Sequence, residues 1–111
     1  MTHYFPPVAG SATTTGTTAV TIIPAYPDTN RRLVITSLQC GRTDAGTTAI
    51  TLTFNDLNNS VIVLPPGAGA SQNMNFHPDA GLRLPLNTGL TMTSSAAINA
   101  VFCNAQGYVG N

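Results

Sequence analysis

Lysine, glutamate and tryptophan are absent from this chain, and charged residues of any kind make up only 7% of it. An ordinary globular domain carries about 25%. Lysine and glutamate are good helix formers and the usual solvating residues of helix surfaces, so their absence argues against helices on the outside of the fold. The four arginines are Arg31, Arg32, Arg42 and Arg83, the four aspartates are Asp28, Asp44, Asp56 and Asp79, and the formal net charge is zero. A nucleic-acid-binding domain shows clustered Lys and Arg, and the one basic pair, Arg31-Arg32, has Asp28 close by, so no nucleic-acid partner is expected. No run approaches the ~18 apolar residues of a membrane helix, so no membrane partner is expected either. The first ten residues hold no basic region followed by an apolar run, which implies synthesis in the cytoplasm without a secretory leader.

There are two cysteines, Cys40 and Cys103. In a reducing cytoplasm two buried free thiols are the expectation, with a disulfide as the alternative. Both lie in apolar alternating segments, where thiols pack rather than react. With the chain's two histidines, His3 and His77, they do not make a zinc site. His77-Pro78-Asp79 offers two metal ligands, with His3 as a third if the arm folds back, and a turn capped by Asp79 is the simpler reading. The aspartates are scattered at turn positions and form no carboxylate pair. No glycine-rich segment follows a strand and opens a helix. The chain is accordingly read as a non-enzyme without cofactor or metal.

What is present is threonine, asparagine, serine and glycine, the composition of strands and tight turns. Alternation of apolar and polar residues predicts strands over 17–23, 32–40, 48–55, 60–64, 73–77, 82–86, 90–93 and 97–105. In 32–40, Val34, Thr36, Leu38 and Cys40 are assigned to one face, with Leu33, Ile35, Ser37 and Gln39 on the other. In 48–55, Ile50, Leu52 and Phe54 face inward, and Thr51 and Thr53 line an outer face. Leu82, Leu84 and Leu86 are assigned to one face. Segments 48–55 and 60–64 make a β-hairpin, closed by Pro65-Pro66-Gly67. About eight short strands at regular turn spacing predict an all-β, two-sheet antiparallel sandwich, jelly-roll-like, in one domain. Residues 17–111 form that domain. Residues 1–16, with Pro6-Pro7, Gly10 and the Thr13-Thr14-Thr15 run, show no period and are read as an N-terminal arm. The expectation is that the sandwich folds without it.

The candidate partner contacts are His3, Tyr4, Phe5 and Val8 on the arm, Tyr26 between two prolines, and the pair Arg31 and Arg32. Exposed aromatics on a terminal segment suit docking. A near-neutral, charge-poor surface suits a chain that buries much of it in an assembly.

The segment Gly81-Leu82-Arg83-Leu84-Pro85-Leu86-Asn87-Thr88-Gly89-Leu90-Thr91-Met92-Thr93, followed by Val101-Phe102-Cys103-Asn104-Ala105-Gln106-Gly107-Tyr108, resembles small structural proteins encoded beside the major capsid protein of tailed phages. The shared pattern is G-x-x-L-P-x-x-T-x-L, a Ser/Ala-rich hairpin and a closing strand ending in Gly-Tyr. This resemblance implies a head decoration, or cement, protein of β-sandwich type. Its partner would be the major capsid protein, met on the capsid surface of virions assembled in the host cytoplasm. It would act as a homo-oligomer, a trimer being favoured by threefold lattice sites and a dimer being the alternative. The competing reading is a receptor- or glycan-binding fibre or adhesin module.

Overall fold

The computed structural model describes residues 6–44, 46–75, 81–96 and 101–110. Among them are nine strands: β1 (Pro7–Thr14), β2 (Val20–Ile23), β3 (Arg32–Arg42), β4 (Ile50–Phe54), β5 (Val61–Leu64), β6 (Ser71–Asn75), β7 (Leu82–Arg83), β8 (Leu90–Ser94) and β9 (Val101–Gly110). No helix occurs among the described residues. One sheet runs β1-β9-β3-β6, with the two-residue β7 also paired to β3, and the other runs β2-β8-β4-β5. Every pairing is antiparallel.

Set aside β7, and the partners are nested: β1 with β9, β2 with β8, β3 with β6, β4 with β5. Such nesting is a single long hairpin rolled into two sheets, which is the jelly-roll arrangement. The expected fold class is therefore present, and the strand order makes it specific.

Apolar side chains from both sheets fill the space between. Leu33, Ile35, Leu38, Val101 and Val109 come from the first sheet, and Ile50, Leu52, Phe54, Leu90 and Met92 from the second; all are essentially inaccessible. In β4, Ile50, Leu52 and Phe54 point inward while Thr53 is exposed, as period-2 alternation demands.

Four expectations change. First, the segment read as a loose arm is, from Pro7 onward, an edge strand. Eight of its residues are in register with β9, from Pro7↔Tyr108 to Thr14↔Val101. Val8 and Ala12 pack against the core. Removing residues 1–16 would therefore strip a sheet edge, not a tail. Second, the face assignment in β3 holds only in part. A register shift between Ile35 and Ser37 marks a bulge at Thr36. The extra residue reverses the parity, so Leu33 and Ile35 share the core with Leu38 and Cys40, and Val34, although buried, lies outside that core cluster. Third, only Leu82 and Leu84 of the predicted 82–86 face are buried. Leu86 is half-exposed, because the strand ends at Arg83 before Pro85.

Fourth, Cys40 and Cys103 are not free thiols: they form a disulfide. They stand directly opposite each other in the β3–β9 register, with Cα atoms 4.1 Å apart. That spacing is typical of the close, non-hydrogen-bonded pairs of an antiparallel ladder, where facing side chains meet. The bond closes a loop across 63 positions, which by the chain-entropy relation stabilises the fold by about 4 kcal/mol.

At one end of the sandwich a guanidinium is buried. Arg42 closes β3 and is 1% exposed, beside an Asp44 side chain that is 10% exposed. Its Nε and Nη2 donate to the two Asp44 carboxylate oxygens at 2.8 and 2.7 Å, and Nη1 donates to the carbonyls of Thr48 and Pro65 at 2.7 and 3.1 Å. The Gly46 N–H also donates to Asp44 Oδ2. A Cβ on Gly46 would meet Asp44 Oδ2 at 2.5 Å and Arg42 Nη2 at 2.7 Å, so only glycine lets the loop close this tightly. The hydrogen bonds from Arg42 hold the Asp44 carboxyl below its ordinary value, against the opposing effect of burial. The same bonds raise Arg42.

Two predictions follow from this architecture. Leu52→Ala is expected to cost roughly 2–5 kcal/mol in urea unfolding, and Thr53→Ala far less. Equal costs would mean that β4 faces the other way. Because the folded-state pKa of Asp44 is depressed, its contribution is complete above the unfolded value near ~3.9 and is lost as pH falls through the folded value. Melting curves from pH 6 to 2 should show Asp44→Asn below the wild type at pH 6 and converging with it in acid. Parallel curves would rule out the clamp.

Candidate interaction surface

Among the described residues the chemistry-bearing groups do not converge on one site. Among the described residues no three of His, Cys, Asp and Glu come together as metal ligands. His77, Pro78, Asp79 and His3 lie outside the described residues. Cys40 and Cys103 are joined to each other, and a sulfur in a disulfide is not a thiolate nucleophile.

The residues expected to meet a partner are dispersed. His3, Tyr4 and Phe5 lie outside the described residues. Val8 and Tyr26 are half-buried and packed against the core. Arg31 reaches Asp28 at 3.9 Å in a solvent-exposed pair. Arg32 donates from Nη1 to the Leu84 carbonyl at 3.1 Å, while its buried Nε has no hydrogen-bond partner. With Asn87 N–H donating to the Arg31 carbonyl, the arginine pair fastens the 84–87 loop to the start of β3. Its role in the fold is to join two connections.

Among the described residues, three of the four exposed large apolar side chains are on the β4–β5 hairpin, the fourth being Leu86. Leu57, Val61 and Val63 are 55, 52 and 50% exposed. The hairpin loop is rigid by construction. Asp56 is buried and accepts from both the backbone N–H and the hydroxyl of Ser60 at 2.7 Å, with Asn59 at a φ of 48°. Asn55 extends the ladder past the end of β4. Its amide donates to the Gly89 carbonyl and accepts from the Thr91 N–H, at 2.7 and 2.8 Å.

β5 is the last strand of its sheet, paired on one side to β4 through Ile50↔Leu64, Thr51↔Val63, Leu52↔Ile62 and Thr53↔Val61. Its other edge faces away from that sheet, across an open cleft lined by Val61, Ile62, Val63, Gln72 and Met74. Natural edge strands are usually protected by charge, proline or a bulge. β5, Val-Ile-Val-Leu, has none of these within it, and its ladder to β4 shows no register shift. The unbroken apolar run Val61-Ile62-Val63-Leu64 is a signal the sequence carries. Threonine marks the outward positions of β4, and valine stands at those of β5.

No family model matches the chain, and no curated protein matches it in sequence. Among solved structures it is similar to a chain from the disulfide-linked pili formed by Bacillus endospore appendages, at 18% identity and a TM-score of 0.49, over 98% of this chain and 93% of that one. It is similar to a chain of the virus-like particle of extra small virus of the giant freshwater prawn Macrobrachium rosenbergii, at 13% identity and a TM-score of 0.47, over 100% and 82%. It is similar, too, to a chain of the cyanophage Pam1 capsid asymmetric unit, at 19% identity and a TM-score of 0.48, over 94% and 84%.

Proposed function

We propose that this chain is a structural, non-catalytic protein that decorates a pre-formed protein shell, the assembled head of a tailed phage, by docking the β5 edge on the major capsid protein. The observation that carries this reading is the uncharged β5 edge with Val61 and Val63 exposed, and with Leu57 exposed in the hairpin loop before it. A strand of this kind offers a ladder for main-chain hydrogen bonds and an apolar stripe for packing, and leaving both to water is costly to solubility. The pattern of residues 81–108 supports the choice of shell. A rigid sandwich with few charges gains affinity through many modest contacts repeated by symmetry rather than through one strong site. A threefold oligomer of the chain would match threefold positions of such a lattice.

The test is co-sedimentation with heads of the parent phage that lack this protein. Val61→Lys/Val63→Lys should bind at least tenfold more weakly than the wild type while keeping its strand-rich circular dichroism. Removing residues 1–5 alone leaves β1 whole and measures what His3, Tyr4 and Phe5 add. Wild-type protein that fails to sediment with heads, or a double variant that binds as well, would overturn the assignment.

A further inference from the structure

The outer face of the first sheet has a character of its own. The registers align one residue from each of four strands into a row: Ser11 on β1, Asn104 on β9, Gln39 on β3 and Asn73 on β6. All four are exposed. The next row is Ala9, Gln106, Ser37 and Asn75. Neither row contains a charged residue. Within the second row, the Ser37 hydroxyl donates to Asn75 Oδ1 at 3.2 Å. Among the described residues no hydrogen bond engages the side chains of Ser11, Asn104, Gln39 and Asn73. A shallow open depression runs along the face, lined by Ala9, Ser11, Gln39, Asn104 and Gln106.

On the other side of the first row stand Thr13, Phe102, Gly41 and Ser71. Phe102 is half-buried although its alternation partners Val101 and Cys103 fill the core. Its ring reaches across to β3 and lies over Gly41, where an added Cβ would meet Cζ at 2.6 Å and Cε1 at 3.0 Å. A glycine thus gives an aromatic ring its seat on the outside of the sheet. Phe102 is two residues from Asn104 on the same strand, about 7 Å away at the rise of a β-strand.

We infer that this face binds a neutral oligosaccharide, laid across the strands along the Ser11–Asn104–Gln39–Asn73 row with one pyranose ring against Phe102. Each Asn or Gln amide offers two donors and an acceptor, the complement of hydroxyl groups that both give and take hydrogen bonds. The Phe102 ring supplies an apolar surface for the C–H face of a sugar, as aromatic side chains do in ligand sites. Lack of charge selects the ligand, because a carboxylate or sulfate placed here would lose water and find no counter-charge.

The site does not depend on shell docking, since it is on the sheet that does not contain β5. The experiment is a binding screen of the folded protein against neutral hexose and N-acetylhexosamine oligomers, with sialylated and sulfated oligomers as a second arm. Titration calorimetry then follows on the best neutral binder. Gln39→Ala/Asn104→Ala and Phe102→Leu should each weaken that binding at least tenfold. Thr53→Ala, on the outer face of the other sheet, should leave it unchanged. Preference for acidic oligomers, absence of binding to every neutral oligomer, or equal affinity in the Gln39/Asn104 double variant would overturn the inference. Co-sedimentation of the same double variant with heads should be unaltered, which separates this site from the β5 edge.

Discussion

A single guanidinium holds the two layers of this sandwich together at one end. Arg42 ends β3 in the first sheet, and its four hydrogen bonds reach Asp44 and Thr48 on the way to β4 and Pro65 on the way out of β5. Around it the backbone is cross-linked as well: Gly67 N–H to the Gly46 carbonyl, Gly69 N–H to the Arg42 carbonyl, and Arg42 N–H to the Ala70 carbonyl. These two connections, 43–49 and 65–70, are two of the places where the rolled hairpin passes from one sheet to the other. A buried charge tolerates no loss of partners, because each unmet donor keeps its desolvation cost. Neither connection can therefore shift without the other. In a chain with so few charges, one pair has been spent where two crossovers meet.

The same logic recurs at the opposite end. Connections 24–31 and 84–89 are fastened by Leu84 N–H to the Leu33 carbonyl, Asn87 N–H to the Arg31 carbonyl and Arg32 to the Leu84 carbonyl. Asn55, bridging Gly89 and Thr91, joins β8 to the end of β4. The apolar core and the disulfide hold the layers and the β3–β9 ladder, while these polar ties set how the hairpin bends. Core burial is non-directional, so the directional contacts are what distinguish this roll from other packings of the same strands.

That division explains what could be read from the residues. Alternation in Ile50-Thr51-Leu52-Thr53-Phe54 is strong because one neighbour after another obeys it, and the hairpin to Val61–Leu64 follows. β1 escaped because its inward positions are Val8, Gly10 and Ala12 and its outward ones Pro7, Ala9 and Ser11, a contrast too weak to register as a period. The Thr36 bulge reverses the parity of β3, and no local residue announces it. The Cys40–Cys103 bond depends on a register between segments 63 positions apart, which periodicity within either segment does not contain. The proposed interaction surfaces were partly visible. Val61 and Val63 stood out as apolar, but that β5 is an edge is a fact of strand order. The amide row draws one residue from each of four strands, so it exists only once the registers are known.

Scarcity of charge also governs how such a molecule finds partners. Long-range steering needs a field, and a neutral surface with an exposed Arg31–Asp28 pair and an internally neutralised Arg42–Asp44 pair has little to offer. Association then proceeds at the rate of short-range orientational search and is nearly indifferent to salt. Specificity has to come from geometry: the pitch of a bare strand edge, the spacing of amides on a sheet, the seat of one ring. These cues are legible only at contact, and each is weak, so they suit a partner that presents the same surface many times. A repeating shell does so, and so does a saccharide chain. The rigidity supplied by the crossover ties is what makes geometric recognition workable, since a flexible sandwich would blur the only information its surface carries.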